Sequence, residues 1–215
     1  RHRRRHRVRR PLRERAPRKR VKLELGNATP VLVQADADLD DAAGRLAANA
    51  FSFAGQSCIS VQRIYVERDA YDDLLARFLP MVEALVVGDP ADEATDVGPL
   101  IDEDARVADV LTGGDLDGEL VRPTVIANAG PELKVSCEEV FGPVCTVTPY
   151  DTLDEAIGLA NGTRYGLQAG IFTSNLKTAL EGARRPEFSG VTSNEEPTFC
   201  ADKMPRGGGE DSSNT

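Results

Sequence analysis

Short apolar strand patterns alternate with longer helical patterns along this chain, and the alternation limits what it can fold into. Strand patterns occupy residues 21–25, 30–34, 63–67, 121–126, 168–172 and 190–193, and a Phe-Gly-Pro turn leads into another within residues 139–148. Helical patterns lie between them, at residues 39–53, 71–85, 103–111, 153–161 and 175–183. We therefore expect an α/β fold: a mostly parallel sheet with helices on both faces.

Local breaks in these patterns refine the expectation. Pro80 lies inside a helical pattern, so we expect a kink or a division there. At 215 residues the chain is long enough for a hydrophobic core, and it has no apolar run of membrane-spanning length. From Gly207 the sequence is Gly-rich and polar, which predicts a disordered tail over residues 207–215.

Charge is distributed unevenly along the chain. Residues 1–20 hold 12 of the 26 Lys and Arg residues and one acid, Glu14, so the remainder has 14 basic against 34 acidic residues. Residues 1–20 have too little apolar content to pack and are predicted to be a disordered basic tail. A basic arm that binds nucleic acid or an acidic partner is the alternative interpretation. The acidity of the remaining chain argues against nucleic acid as a partner.

Four cysteines and two histidines restrict the possible metal and redox chemistry. Cys58, Cys137, Cys145 and Cys200 are widely spaced without a CxxC pair, and both histidines lie within the first six residues. This pattern predicts no metal site. A disulfide framework is not expected in a chain of this size, so the cysteines predict reduced thiols and a cytoplasmic location.

Three features stand out as possible chemistry. Cys58 follows a glycine break after a helix of small residues, where a thiol can face a cleft or pack as a small apolar side chain. Glu24 lies in a mainly apolar strand and is either a buried general base or a charge at a strand edge. Glu139 and Phe141 flank a rigid turn, which can hold a ribose and a flat ring or be a capped turn with a buried aromatic side chain.

Six ordered sequence blocks resemble the aldehyde dehydrogenase superfamily over about residues 18–208. The blocks are Leu23-Glu24-Leu25-Gly26, Phe53-Ala54-Gly55-Gln56-Ser57-Cys58, Gly88-Asp89-Pro90 with Gly98-Pro99-Leu100, Glu138-Glu139-Val140-Phe141-Gly142-Pro143, Ala160-Asn161-Gly162-Thr163-Arg164-Tyr165-Gly166-Leu167 and Pro197-Thr198-Phe199-Cys200-Ala201-Asp202-Lys203-Met204-Pro205. A single block would be weak evidence, whereas six in this order and spacing are not expected by chance.

The resemblance implies a role for each matching residue. Cys58 is the implied nucleophile, and Glu24 is the implied base that activates water to hydrolyse a thioester on that cysteine. Glu139 and Phe141, together with Leu25 and Gly26, are the implied binding residues for the nicotinamide half of NAD or NADP. The implied substrate is a small-molecule aldehyde, oxidised to its carboxylic acid. Family members form homo-oligomers, and the sequence leaves the oligomeric state of this chain open.

The chain also departs from the family pattern. The dinucleotide-binding region that precedes the Glu24 block in the family has no counterpart, and Asn27 stands where a second glycine is usual. We therefore predict a partial catalytic domain over residues 21–206, an incomplete NAD(P) site and little dehydrogenase turnover by this chain alone. Two alternatives remain: a non-catalytic interaction module with a basic N-terminal arm, and a cysteine-dependent hydrolase.

Overall fold

A computed structural model describes residues 25–99, 110–117, 120–199 and 207–212, together with Arg15 and Arg18. Several predictions fall outside these residues. They concern the rest of the basic tail, Glu24 and most of the strand at residues 21–25, residues 103–109 of the predicted helix at 103–111, and Cys200. The helix prediction is wrong for Val110 and Leu111, which belong to a strand that pairs with residues 125 and 126. The predicted domain limits of 21–206 stay a prediction.

The centre of the fold is a seven-stranded sheet. Its strands lie in the order β10-β9-β1-β2-β7-β6-β3, and every neighbouring pair is parallel except β3 with β6. The strands of this sheet are β1 (Thr29–Val33), β2 (Val61–Glu67), β3 (Val110–Thr112), β6 (Thr124–Ala127), β7 (Val144–Tyr150), β9 (Gln168–Phe172) and β10 (Gly190–Ser193). Two antiparallel pairs lie beside it: β4 (Leu116–Asp117) with β5 (Leu120–Val121), and β8 (Tyr165–Gly166) with β11 (Gly209–Glu210).

Helices cover both faces of the sheet, as the sequence predicts. The helices are α1 (Leu39–Phe51), α2 (Tyr71–Glu83), the short α3 (Lys134–Cys137), α4 (Leu153–Asn161) and α5 (Leu176–Arg184). On one face, α1 and α2 pack Leu46 and Phe78 into a buried cluster with Val31 of β1. On the other face, α4 packs Ile157 against Ile171 of β9 in a second cluster. The mostly parallel α/β prediction is confirmed.

Capping side chains explain where three of these five helices begin. Asp38, Thr152 and Asn175 cap α1, α4 and α5, each accepting hydrogen bonds from backbone N–H groups of the first turn. The predicted kink or division at Pro80 is not observed as a division, because α2 runs through this proline as one helix. Residues 121–126 form two strands, β5 and β6, rather than one, because Arg122 and Pro123 separate them.

The predicted disordered tail is wrong for residues 209–212. Gly209 pairs with Gly166, and Ser212 is buried and accepts a hydrogen bond from the Gly166 N–H at 3.1 Å. A Cβ atom on Gly166 would lie 2.5 Å from the Glu187 carbonyl oxygen, so only glycine fits there. The glycines of residues 207–209, taken as local sequence, predicted disorder. In the fold, Gly209 instead pairs closely with the distant backbone of Gly166.

None of the helices in the described part of the chain combines the length and the apolar character needed to cross a membrane.

Burial of Cys145 predicts a pH-dependent stability. Cys145 is fully buried in β7, and burial raises the pKa of its thiol well above the ordinary value of 9.0. Above about pH 9 the thiol loses its proton in the unfolded state, whereas it keeps the proton in the folded state. The free energy of unfolding should therefore fall by about 1.4 kcal/mol per pH unit as the pH rises above about 9. Denaturant titrations of the wild type and Cys145→Val between pH 8 and 10 measure this slope, which should be shallower in the variant. Equal slopes would contradict the prediction.

Candidate active site

A small pocket lies at the amino ends of three neighbouring parallel strands, β1, β2 and β7. The space between its walls amounts to about 230 Å³ and includes open solvent. Its wall is formed by the segment before β1, the turn before β2 and the turn before β7; the lining residues are Asn27, Gly55, Ser57, Ser60, Val61, Gln62, Glu139, Phe141, Gly142 and Val144. The fold thus brings together three of the sequence blocks that are far apart along the chain.

Cys58 lies in the turn that joins α1 to β2, between the lining residues Ser57 and Ser60. Its side chain is half-buried. The Ser60 N–H donates to the Ser57 carbonyl oxygen at 3.1 Å, which closes the turn. The Ser60 hydroxyl lies 3.0 Å from the Asn49 carbonyl oxygen and 3.1 Å from that of Ala50, which anchors the turn to the last turn of α1. The cysteine is therefore held on a tethered turn beside the pocket, although its own side chain is not part of the lining.

A left-handed backbone segment redirects the chain before Cys58. The predicted helix over residues 39–53 ends earlier, at Phe51, because Phe53, Ala54 and Gly55 have φ values of 53°, 55° and 67°. Left-handed conformations cost a residue with a side chain about 1–2 kcal/mol. Phe53 adopts this conformation with 83 % of its surface exposed, so its side chain gains little from burial. Tertiary contacts must hold this segment in place.

Contact with the turn before β7 is one such constraint. A Cβ atom on Gly55 would lie 2.0 Å from the Gly142 carbonyl oxygen, so the two backbones touch. Phe141, in the same turn, also has a left-handed φ of 56° and is half-buried in the pocket wall. The turn that carries Cys58 and the turn that carries Glu139 and Phe141 are consequently fixed against each other.

Glu139 is buried and faces the segment before β1. Its Oε1 accepts a hydrogen bond from the Asn27 N–H at 3.1 Å. Gly26 has a φ of 103°, and a Cβ atom there would lie 2.6 Å from Glu139 Oε2. The carboxylate therefore occupies space that only glycine leaves open. Leu25, half-buried, precedes this contact, while Glu24 lies outside the described residues.

Asn27 contributes a polar atom that the sequence did not identify. Its Nδ2 donates to Thr29 Oγ1 at 2.8 Å and to the Gln168 carbonyl oxygen at 3.3 Å. The side-chain orientation is defined, because Gln168 offers only an acceptor at that position. Asn27 Oδ1 is buried, and no group of the described residues donates a hydrogen bond to it. A buried acceptor in this state costs about 1–3 kcal/mol, so a ligand donor or a water molecule is expected to satisfy it.

Gln62 is the second lining residue that sequence reasoning missed. It lies in β2 beside the fully buried Arg63, two polar residues in a strand that is otherwise apolar from Val61 to Val66. The predicted strand began at Arg63, so Gln62 was left outside it and Arg63 was placed at its first position, whereas the observed strand begins at Val61. Polar side chains inside a buried strand were the available signal, since buried polar groups need partners.

The polar and aromatic groups of the pocket wall match the chemistry of the nicotinamide half of a dinucleotide. Glu139 offers a carboxylate that can accept hydrogen bonds from ribose hydroxyls, Phe141 offers an aromatic side chain, and Asn27 Oδ1 is an acceptor in need of a donor. Gly26 provides the cradle for the carboxylate. Within the described residues, no group of three or more His, Cys, Asp and Glu side chains is placed to hold a metal ion.

Alanine at Gly55 is expected to disrupt the pocket. The Cβ would collide with the Gly142 carbonyl oxygen, and alanine is strained at φ 67°, so the free energy of unfolding should fall by about 2 kcal/mol or more. Gly44→Ala in α1 is the matched control, since a Cβ there meets no atom within 4 Å and should raise stability by about 0.5–1 kcal/mol. Urea titrations distinguish the two. Equal stability of the two variants would contradict the proposed contact.

Comparison with known proteins identifies what this arrangement is similar to. The model for the aldehyde dehydrogenase family matches residues 6–215. A 3-sulfolactaldehyde dehydrogenase of Priestia aryabhattai is 41 % identical, over 94 % of this chain and 45 % of the relative. A lactaldehyde dehydrogenase of Methanococcus maripaludis is 36 % identical, over 88 % of this chain and 43 % of the relative.

A solved structure agrees with these relatives. The glyceraldehyde-3-phosphate dehydrogenase GapN of Methanocaldococcus jannaschii, complexed with NADP, superposes with a TM-score of 0.88 at 33 % identity. The match covers 97 % of this chain and 48 % of that one. The chain thus spans about half the length of the relatives that it matches.

Proposed function

The chain belongs to the aldehyde dehydrogenase family, and from this premise we propose that it is part of the catalytic domain of an enzyme that oxidises an aldehyde to a carboxylic acid with NAD or NADP. One observation carries the proposal: the turn that bears Cys58 and the turn that bears Glu139 and Phe141 form one pocket wall, joined where Gly55 meets Gly142. A nucleophile and a ribose-binding carboxylate are the two groups that such a reaction must bring together.

Cys58 is the nucleophile in this proposal. Its thiolate attacks the carbonyl carbon of the aldehyde and forms a carbon–sulfur bond, which gives a thiohemiacetal. Loss of hydride from that carbon leaves a thioester on sulfur, and water then attacks the thioester to release the carboxylic acid and the thiolate. Thiolates are strong nucleophiles, and thioesters are good acyl donors to water. The backbone N–H of Cys58 is proposed to stabilise the oxyanion that forms during attack.

Glu24 is the proposed general base. It precedes Leu25 and Gly26, and Gly26 touches Glu139. Its carboxylate would remove a proton from the water that attacks the thioester. This role comes from the family motif, because Glu24 lies outside the described residues.

The cofactor site is proposed at the Glu139 side of the pocket. When bound there, NAD or NADP supplies the acceptor for the hydride. Glu139 would hold the nicotinamide ribose, Phe141 would lie near the ring, and Leu25 and Gly26 would form the backbone wall beside them. The buried Asn27 Oδ1 supports a ligand at this wall, since none of the described residues supplies a donor to it.

The aldehyde is proposed to be a short hydroxyaldehyde. This rests on the names of the relatives, which are dehydrogenases of 3-sulfolactaldehyde, lactaldehyde and glyceraldehyde-3-phosphate. A working thiolate needs a reducing environment, so we place the protein in the cytoplasm.

Glu24→Gln separates the two halves of the proposed reaction. With p-nitrophenyl acetate, which acylates thiols without a cofactor, the variant should give the initial burst of nitrophenolate and then slow by about 10²–10⁴-fold in steady state. The reason is that acylation needs only Cys58, whereas deacylation needs the base. Stopped-flow absorbance measures both phases in the 215-residue chain. A wild-type steady-state rate in the variant would exclude Glu24 as the base.

A further inference from the structure

The side chain of Gln62 spans the loop that carries Glu139. Its Nε2 donates to the Val135 carbonyl oxygen at 2.8 Å and to the Glu138 carbonyl oxygen at 2.7 Å. Its Oε1 accepts a hydrogen bond from the Val140 N–H at 3.0 Å. Gln62 is buried, with 6 % of its surface exposed, so water does not replace these bonds. One amide therefore holds the backbone immediately before and immediately after Glu139.

The Glu139 carboxylate can move very little without losing its contacts. It accepts the Asn27 N–H at 3.1 Å and lies against the bare Cα of Gly26, where a Cβ would approach within 2.6 Å of Oε2. A loop shift of about 1 Å would break the first contact or make the second one a clash, and displacements of that size are known to affect site function strongly.

We propose that Gln62 is the positioning residue for Glu139. By fixing Glu138 and Val140 to β2, it keeps the carboxylate against Asn27 and so sets the wall that is proposed to bind the nicotinamide ribose. That this wall binds the nicotinamide ribose rests on the proposed function. The chain of contacts from Gln62 through Glu139 to Asn27 does not depend on it.

Gln62→Met tests the link, since methionine has a similar length and lacks the amide. Hydrogen exchange followed by NMR should show the Val140 and Asn27 amides exchanging about tenfold faster. The Val140 N–H loses its direct partner. The Asn27 N–H makes its hydrogen bond to Glu139 rather than to Gln62, so it accelerates only if Gln62 holds Glu139 in place.

Thr146→Val is the matched control. Thr146 is buried in β7, and its hydroxyl donates to the Gln62 backbone oxygen at 3.4 Å, so it touches the same residue without holding the loop. It should leave the Asn27 exchange rate unchanged. If Gln62→Met does not fold, Gln62→Asn serves instead. It keeps an uncharged amide, but the side chain is one methylene shorter and does not span the loop, so the Asn27 amide should again exchange faster.

Two results would overturn the inference. One is an unchanged Asn27 rate in Gln62→Met, and the other is an equal acceleration of Asn27 and of amides in the central strand β1, which would indicate general destabilisation. Titration with nicotinamide mononucleotide separates this inference from the proposed function. If Asn27 accelerates but the wild type shows no shift of pocket resonances with this probe, the positioning role stands and the cofactor role of Glu139 fails.

Discussion

Arg63→Met is expected to lower the free energy of unfolding by about 3 kcal/mol or more, which is the largest stability effect that we predict for a single side chain. Arg63 is fully buried at the start of β2. Its guanidinium donates to the carbonyl oxygens of Ala28 at 2.8 Å and of Leu159 and Ala160 at 3.0 Å each. Methionine would leave three buried carbonyl groups without this donor, at about 1 kcal/mol or more for each.

The position of Arg63 explains why a buried cation is tolerated. Burial lowers the pKa of its guanidinium and so disfavours the charge. The contact with Leu159 and Ala160 opposes this effect, because both residues belong to the last turn of α4, the negative end of the helix dipole. The same side chain reaches Ala28, next to the pocket residue Asn27. It therefore ties α4 to the segment that supports Glu139.

Two variants make this prediction specific. Arg63→Lys keeps the charge but lacks the planar fork that reaches separate carbonyls, so it should recover only part of the loss. Arg68→Met is the control, because Arg68 follows the same strand but is exposed and pairs with the exposed Asp151. It should change stability little. Chemical denaturation of the three variants checks the order, and a loss below about 1 kcal/mol in Arg63→Met would contradict the role of the carbonyl cluster.

Cys58→Ser is expected to give the largest loss of chemical activity. The burst of nitrophenolate from p-nitrophenyl acetate should fall by roughly 10³-fold or more, since a serine hydroxyl is a weak nucleophile without an adjacent base. Fold stability should be nearly unchanged, because Cys58 lies half-buried in a turn rather than in the core.

Cys137→Ser is the matched control for this prediction. Cys137 is, like Cys58, a half-buried cysteine, and it ends α3. Its replacement should leave the burst at the wild-type level. A burst that survives in Cys58→Ser and disappears in Cys137→Ser would show that the nucleophile is Cys137 and not Cys58.

Much of the scaffold could be predicted from local sequence. Observed and predicted bounds agree for α4, β9 and β10, because their apolar periodicity is regular and the cap Thr152 marks the start of α4. The parallel sheet followed from the alternation of strands and helices. The exceptions depend on distant contacts: β11 exists because Gly209 meets Gly166, more than forty positions earlier.

The candidate site was predictable only where a motif marks it. Cys58, Glu139 and Phe141 were identified from blocks that resemble a family, and local patterns alone left each of them with a structural alternative. Gln62 and Asn27 were missed because their importance comes from partners far along the chain. Gln62 bonds to residues 135–140, and Asn27 bonds to Glu139 and Gln168. No local periodicity carries this information.

Cys58 is proposed to carry the acyl group of the reaction. The direct measurement is to mix the Glu24→Gln chain with p-nitrophenyl acetate, quench with acid and map the acetylated peptide by mass spectrometry. We expect one acetyl group per chain, located on Cys58, and none when Cys58→Ser is added to the same chain. Acetyl groups on Cys137 or spread over lysines, with Cys58 unmodified, would contradict the proposal.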